Sequence, residues 1–291
     1  MKNIKRIFMS TRKIIIEDGI YHITQRAPGR EVIFAEDNDY KTFLYFLKKT
    51  SQEFAIEVFC FALMPNHVHI LVKNRKENLS QAMKYLFQRY ALWFNKKYER
   101  KGHVFCGAYR AALCLDDSYL IAISLYIHLN PFKAQIVKDV FSYRWSSLDC
   151  YIKSHRDSFI NTKQIMELMG EKENAHLIYK DLIESVKGIN HKSVFNDRCG
   201  VKKFTKKMFN SLGGRGTSCL FKKTELFKDF FHNKNVMDSV IIKQKRRKFE
   251  DKKAFKYCIE QLLARGYSFK EIAENLKVNR TTIYRLMQQK C

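Results

Sequence analysis

Two histidines separated by a single residue, His67 and His69, carry the sharpest chemistry in the chain. On a β-strand alternate side chains share a face, so both imidazoles project together while Val68 turns into the core. Two neutral imidazoles side by side can chelate a divalent cation. They leave coordination positions for phosphate oxygens and one further ligand. The competing reading, two exposed histidines on a half-buried strand, is not excluded by the triplet itself. A second candidate group is Tyr126 with Asn130, four residues apart and therefore one turn apart on one helix face. A tyrosine hydroxyl can form a covalent ester with a phosphoryl group and so preserve the energy of a cleaved phosphodiester. Its free pKa of about 10 means that it needs help from a neighbouring metal or base. Asn130 would supply an oxygen to the same cation. That spacing is shared by Tyr21 with Gln25, Tyr151 with His155, Tyr257 with Gln261 and Tyr284 with Gln288, so geometry alone leaves the choice of tyrosine open. His128 falls elsewhere on the helix and is not counted as a ligand.

The elements that must position these residues can be read from periodicity. Tyr21-His22-Ile23-Thr24 alternates as a strand does, and residues 38–52 carry Tyr40, Phe43, Leu44 and Leu47 at helical spacing. Residues 56–62 alternate again, and 68–72 form a second β-rich run after the Met64-Pro65-Asn66 turn. Residues 78–98 read as a long amphipathic helix with Leu79, Met83, Leu86, Tyr90 and Phe94 near one stripe. A strand is expected over 103–114. A last helix over 117–130 is expected to stop at Pro131, because proline disfavours helical geometry in the residue before it. The order predicts an α+β fold: a ferredoxin-like antiparallel sheet with helices on one face, plus a helix bearing the nucleophile. Three zones follow: a catalytic domain over residues 13–152, a basic helical connector over 153–250, and an all-α helix-turn-helix over 251–291.

Charge points to the partner. The 291 residues hold 54 Lys and Arg against 29 Asp and Glu, a formal net charge of +25. Such an excess repels itself and favours a polyanion, nucleic acid ahead of an anionic membrane surface. No apolar run approaches a membrane span. The eight cysteines include no pair at zinc-knuckle spacing, so a reduced cytoplasmic protein with free thiols is expected. No phosphate-binding Gly-x-x-x-x-Gly-Lys loop occurs, in keeping with chemistry that needs no nucleotide cofactor. Near the end, Ser268-Phe269-Lys270-Glu271 is a capping box, and Lys277-Val278-Asn279 makes a turn before a second helix. Arg280, Thr281, Thr282, Tyr284 and Arg285 then lie at the start of a recognition helix, where the major groove would be met. Arg89 on the long helix and Arg110 near the expected fourth strand are further DNA-binding candidates. The basic run 243–248 either contacts phosphates or is a solvated connector.

Taken together, Met64-Pro65-Asn66-His67-Val68-His69-Ile70-Leu71-Val72 and Tyr126-Ile127-His128-Leu129-Asn130-Pro131 resemble the REP-associated tyrosine transposases, a branch of the HUH single-tyrosine transposases of insertion sequences. Tyr21-His22-Ile23-Thr24, Gly102-His103-Val104-Phe105 and Trp145-Ser146-Ser147 match as well, so the resemblance covers about residues 13–152. It implies His67 and His69 as metal ligands, Asn130 as the polar third ligand and Tyr126 as the nucleophile. It further implies Mg2+ or Mn2+, a 5′-phosphotyrosine link on single-stranded DNA, a free 3′-hydroxyl, and recognition of an imperfect hairpin at repetitive or insertion-element ends. A homodimer and a nucleoid-associated bacterial location are compatible with it. Cys106 stands where relatives commonly carry Gln, and Arg26-Ala27-Pro28-Gly29-Arg30 replaces an Arg-Gly-Asn segment. These departures touch presumed DNA contacts and not the chemistry. The alternative is a non-catalytic DNA-binding regulator derived from a transposase, for which both histidines, Tyr126 and Asn130 together would be superfluous.

Overall fold

The computed structural model describes residues 15–29, 31–114, 117–153, 158–169, 174–188, 255–256, 259, 262–263 and 267–288. The segment 243–248, and Tyr257, Gln261 and His155, lie outside the described residues.

Four strands form one antiparallel sheet: β1 (Gly19–Arg26), β2 (Ile56–Met64), β3 (His67–Asn74) and β4 (Arg110–Cys114), in the order β2-β3-β1-β4. Helices α1 (Asp37–Glu53) and α2 (Leu79–Lys97) supply the two crossovers. This is the ferredoxin-like arrangement expected from the element order. β2 and β3 read as nearly unbroken apolar runs because both faces of the sheet are covered. In β2 every residue but Glu57 is buried, and in β3 Val68, Ile70, Leu71 and Val72 are fully so.

The two faces are covered differently. Tyr109 precedes β4 and shares the face of Ala111 and Leu113. The Phe87 ring of α2 packs on it at 6.2 Å between centroids, which places the α1/α2 layer there. α1 contributes Tyr40, Phe43 and Leu47, and α2 contributes Leu79, Met83, Leu86, Tyr90 and Phe94, all buried. The two helices are also tied by charge. Buried Asp39 accepts from the backbone of Ala35 at 2.7 Å and Glu36 at 3.0 Å at the start of α1, and from Lys97 at the end of α2 and Tyr98 just beyond it. Burial, the largest single influence, pushes its carboxyl up, but these hydrogen bonds together outweigh it and hold the carboxyl below the usual carboxylate range.

On the opposite face lies α3 (Asp117–Lys133). It is apolar nearly all round, which suits a helix covered on both sides. The sheet lies beneath it. Above it, α6 (Ala175–Val186) buries Tyr179, Leu182, Ile183 and Val186. His128 joins these layers: its ring nitrogens lie 2.8 Å from the Tyr179 hydroxyl and 2.9 Å from Ser147 Oγ. Short helices α4 (Asp149–Ile152) and α5 (Lys163–Glu167) complete the packing around α6. The segment around Trp145-Ser146-Ser147 runs along β2, the sheet edge. Leu63 N donates to Trp145 O and Ser147 N to Phe61 O, so this edge is closed against another strand.

Two expected boundaries are corrected. The fourth strand spans only Arg110–Cys114 and not 103–114, because the preceding residues turn. Gly102 and Gly107 adopt positive φ (98° and 67°), and the loop is fastened to β1 by Cys106 N to Arg26 O at 2.8 Å and Gln25 Nε2 to Gly107 O at 2.9 Å. The last helix does not end at Asn130 but carries Pro131 and stops at Lys133. Proline removes only its own amide bond, and Ala134 N still donates to Asn130 O at 2.9 Å, closing a final turn.

Among the described residues no helix is long and apolar enough to cross a membrane. Cys60, Cys106, Cys114 and Cys150 are free thiols.

At the C-terminal end, α7 (Phe269–Asn275) and α8 (Arg280–Gln288) form a helix-turn-helix. The capping box is present: Glu271 N donates to Ser268 Oγ at 3.2 Å, and Ser268 N to Glu271 Oε2 at 2.7 Å. Ile272, Ala273, Leu276 and Ile283 turn inward.

Candidate active site

The ladder registers define the floor of the site. His67 stands opposite Arg26, and His69 opposite Thr24, which in turn faces Arg110 on β4. Cross-strand partners share a face, so the two histidines, Thr24, Arg26 and Arg110 point to the side occupied by α3. The two imidazoles lie with ring centroids 5.0 Å apart. Val68 between them is fully buried on the other face.

Each histidine has a partner on one ring nitrogen. His67 Nδ1 lies 2.6 Å from Asn66 Oδ1, so this nitrogen carries the proton and Nε2 is left with a lone pair. His69 Nδ1 and His22 Nε2 share a hydrogen bond of 2.9 Å, and their rings stack at 5.2 Å. With His69 as donor in that bond, its Nε2 is likewise a free donor atom for a metal. Burial favours the neutral form of all three rings: His67 is lowered to about 4, with the Arg26 charge adding to the effect, His22 to about 3, and His69 well below its ordinary value. Neutral imidazoles whose other nitrogen is held by a polar partner are the form in which histidine ligates a metal. The donor set therefore fits a divalent cation bound by two nitrogens, although among the described residues no group of three or more His, Cys, Asp or Glu is arranged to hold one.

α3 brings Tyr126 to this pair. Its ring meets His69 edge-on at 5.7 Å and His22 at 6.0 Å between centroids. Burial raises the phenol above its usual pKa, and a hydrogen bond with the Asn130 side chain pulls the other way. Asn130 Nδ2 donates to Tyr126 O at 2.9 Å, so its amide oxygen is the side-chain atom that could act as a ligand. The alternatives with the same spacing are placed elsewhere. Tyr21 is buried on the α1/α2 face, its hydroxyl accepting from Ile16 N at 2.8 Å. Tyr151 is buried and donates to Phe59 O at 2.9 Å, and Tyr284 stacks on Phe269 in the helix-turn-helix. His128 is fully buried in its contacts to Tyr179 and Ser147, away from the pair.

A cleft of about 430 Å³ opens beside the histidines, lined by Thr24, Arg26, Asn66, His67, His69 and Arg110 among others, with no Asp or Glu among the described residues of its wall. Its rim is fixed by backbone bonds: Ala27 N to Asn66 O at 2.9 Å joins the end of β1 to the Pro-Asn turn, and Cys106 N to Arg26 O joins it to the 101–109 loop. Arg110 thus lies in the cleft. Arg89 does not: it is exposed on α2, in the layer beyond the sheet, with its guanidinium 5.3 Å above the Tyr85 ring. Arg280, Thr281, Tyr284 and Arg285 are exposed on α8, and Thr282 is half-buried.

His22 and Asn66 were visible in the sequence, but no role was read for them. A His-x-His pair needs a partner for each outward nitrogen. An Asn adjoining the first histidine, and a histidine one strand away, are the side chains that meet that need.

The class defined by these features is a ferredoxin-like domain in which a histidine pair on the sheet faces a tyrosine on an added helix. Residues 16–130 match the model of the family described as "Transposase IS200 like", which takes in the sheet, the histidine pair and α3 through Asn130. Residues 256–290 match a helix-turn-helix domain model. No curated protein matches the chain. Among solved structures, one titled "Structure of the REP associates tyrosine transposase bound to a REP hairpin" is 15% identical, with 53% of this chain and 91% of that chain covered and a TM-score of 0.44.

In the helix-turn-helix, Lys277 sits at the turn with φ 52°, a left-handed conformation that favours glycine. Lys277→Gly should therefore stabilise the α7/α8 unit by about 1 kcal/mol. Amide exchange across both helices should slow; faster exchange would show that the lysine side chain contributes more than the strain costs.

Proposed function

We propose that the protein is a metal-assisted, single-tyrosine DNA strand transferase that cuts and rejoins single-stranded DNA beside a hairpin. The observation that carries this reading is the Tyr126 ring set against His69, one of the imidazole pair, and against His22, which hydrogen-bonds to His69. In it Tyr126 is the nucleophile, and His67, His69 and Asn130 would hold Mg2+ or Mn2+. When bound, that cation would polarise the scissile phosphate and lower the cost of negative charge on the phenol oxygen.

The chain's own part is positioning. β3, paired on both sides by β2 and β1, carries both imidazoles and so sets their separation. α3, tied to α6 by the bond between His128 and Tyr179, sets the Tyr126 ring edge-on against His69 and His22. The Tyr126 oxygen bonds to phosphorus as the P–O3′ bond breaks; in net terms the phenolic proton ends on the departing 3′ oxygen. The product is a 5′-phosphotyrosine and a free 3′-hydroxyl, and attack by another 3′-hydroxyl reverses the step without a nucleotide cofactor. Burial keeps the phenol protonated until a phosphate and cation are present, which guards the nucleophile between encounters. Arg110 in the cleft, and Arg280, Thr281, Thr282, Tyr284 and Arg285 on α8, are the proposed DNA contacts, the latter in a groove of duplex DNA. Arg89 is assigned only a phosphate contact outside the cleft.

The test is to incubate purified protein with labelled single-stranded hairpin oligonucleotides from its own genomic flanks and Mn2+, and to map any SDS-resistant adduct. A phosphotyrosine at Tyr126 is expected. Binding with no covalent product across several flanks and both metals would instead indicate a DNA-binding regulator.

A further inference from the structure

The cleft contains a charge problem that the proposed chemistry does not resolve. The two imidazoles that line it are neutral, and among the described residues no Asp or Glu lines the cavity, so no described side chain there balances a divalent cation. The side chain directly across the ladder from His67 is cationic. Arg26 shares that face and lines the same cleft, as does Arg110, one row away beside Thr24. Arg26 is exposed and forms no ion pair among the described residues. Its backbone is held from two sides, by the Asn66 turn through Ala27 and by the 101–109 loop through Cys106, so the guanidinium starts from a fixed base and not from a wandering loop. A cation placed by His67 and His69 would meet a like charge and no carboxylate among the described lining residues; an anionic phosphate between them would meet favourable charge on both sides.

We propose that this cleft takes a divalent cation and a DNA phosphate as a coupled pair, with Arg26 as the side chain that seats the phosphate beside the histidines. The identity of the anion as a single-stranded DNA phosphate rests on the strand-transferase reading; the coupling itself rests on the charges lining the cleft. Because coupling between two ligands is reciprocal, the strand must raise metal affinity by the same factor as the metal raises strand affinity. Metal without DNA is then bound weakly, and the tyrosine meets an activating cation only once a strand is in place. Arg26 acts here in opposite senses on the two ligands: its charge opposes the cation and attracts the phosphate.

The experiment uses the full chain as Tyr126→Phe, so that no cleavage occurs, and as Tyr126→Phe with Arg26→Gln. Free Mn2+ is followed by electron paramagnetic resonance as Mn2+ is titrated, without and with a saturating short oligothymidine, the binding of Mn2+ to the oligonucleotide alone being subtracted. Strand affinity is measured in parallel by fluorescence anisotropy. DNA should tighten Mn2+ binding at least about tenfold, equivalent to about 1.4 kcal/mol. Arg26→Gln should tighten Mn2+ binding to the DNA-free protein several-fold while weakening the strand, with an unchanged thermal melt because Arg26 is exposed. Equal Mn2+ affinity with and without the strand overturns the proposal, as does a variant in which the two affinities do not move in opposite directions. Wild-type adduct formation is run beside it. An adduct without coupling removes this inference alone, whereas coupling without an adduct removes the transferase reading and leaves the paired site standing.

Discussion

Tyr126→Phe should eliminate the SDS-resistant protein–DNA product, a loss of at least ~10³-fold in adduct formation, with strand binding retained. The reasoning is chemical before it is structural: phenylalanine preserves the ring that packs on His22 and His69 but has no oxygen to bond to phosphorus. The hydroxyl's hydrogen bond with Asn130 is also lost, a contribution of about 1 kcal/mol, so the variant should fold and melt within a few degrees of wild type. Binding and melting therefore act as internal controls on one deleted atom. The experiment also separates two kinds of nuclease. If cleavage persists in Tyr126→Phe while the adduct vanishes, the attacking group is water and the enzyme is a hydrolase. If adduct persists, another tyrosine is the nucleophile, and the buried placement of Tyr21 and Tyr151 directs the search to exposed tyrosines such as Tyr45.

The sheet and its order were legible because the apolar periods of β1, β2 and β3 are separated by strong signals: the Pro-Asn turn at 65–66, and the helical stripe through Leu79, Met83, Leu86, Tyr90 and Phe94. The limits of β4 were not legible, since Val104, Phe105 and Tyr109 are apolar and buried without belonging to a strand. They fill space under a loop, and periodicity does not distinguish burial in a loop from burial in a ladder. Pro131 misled for a related reason. Its preference acts on one residue, while the end of α3 is decided by the packing of Leu129 and its neighbours against the sheet. At the site, the His-x-His spacing required a shared face, but the choice among tyrosines four residues from a polar partner needed tertiary placement or family resemblance. Distance in sequence carried no information on His22, which is 47 residues from the imidazole it supports.

That pairing leads to the second large effect. His69→Ala removes a proposed ligand and should reduce Mn2+-dependent adduct formation by at least ~10³-fold, with no recovery at high metal concentration. His22→Phe should behave differently. The phenyl ring keeps the stacking volume against His69, but His69 Nδ1 loses its 2.9 Å partner and with it the tautomer and orientation that present Nε2. Removing such a supporting partner weakens metal binding by roughly 10–100-fold, so activity should fall at low Mn2+ and return toward wild type as Mn2+ is raised. Both substitutions break the same buried hydrogen bond between His22 Nε2 and His69 Nδ1, at a similar cost of about 1–3 kcal/mol in stability. A shared loss in melting temperature combined with opposite responses to metal would therefore separate ligation from support. Were His22→Phe as refractory to metal as His69→Ala, His22 would belong among the ligands; were both fully rescued, neither nitrogen would bind the cation, and the pair would be a structural stack beneath Tyr126.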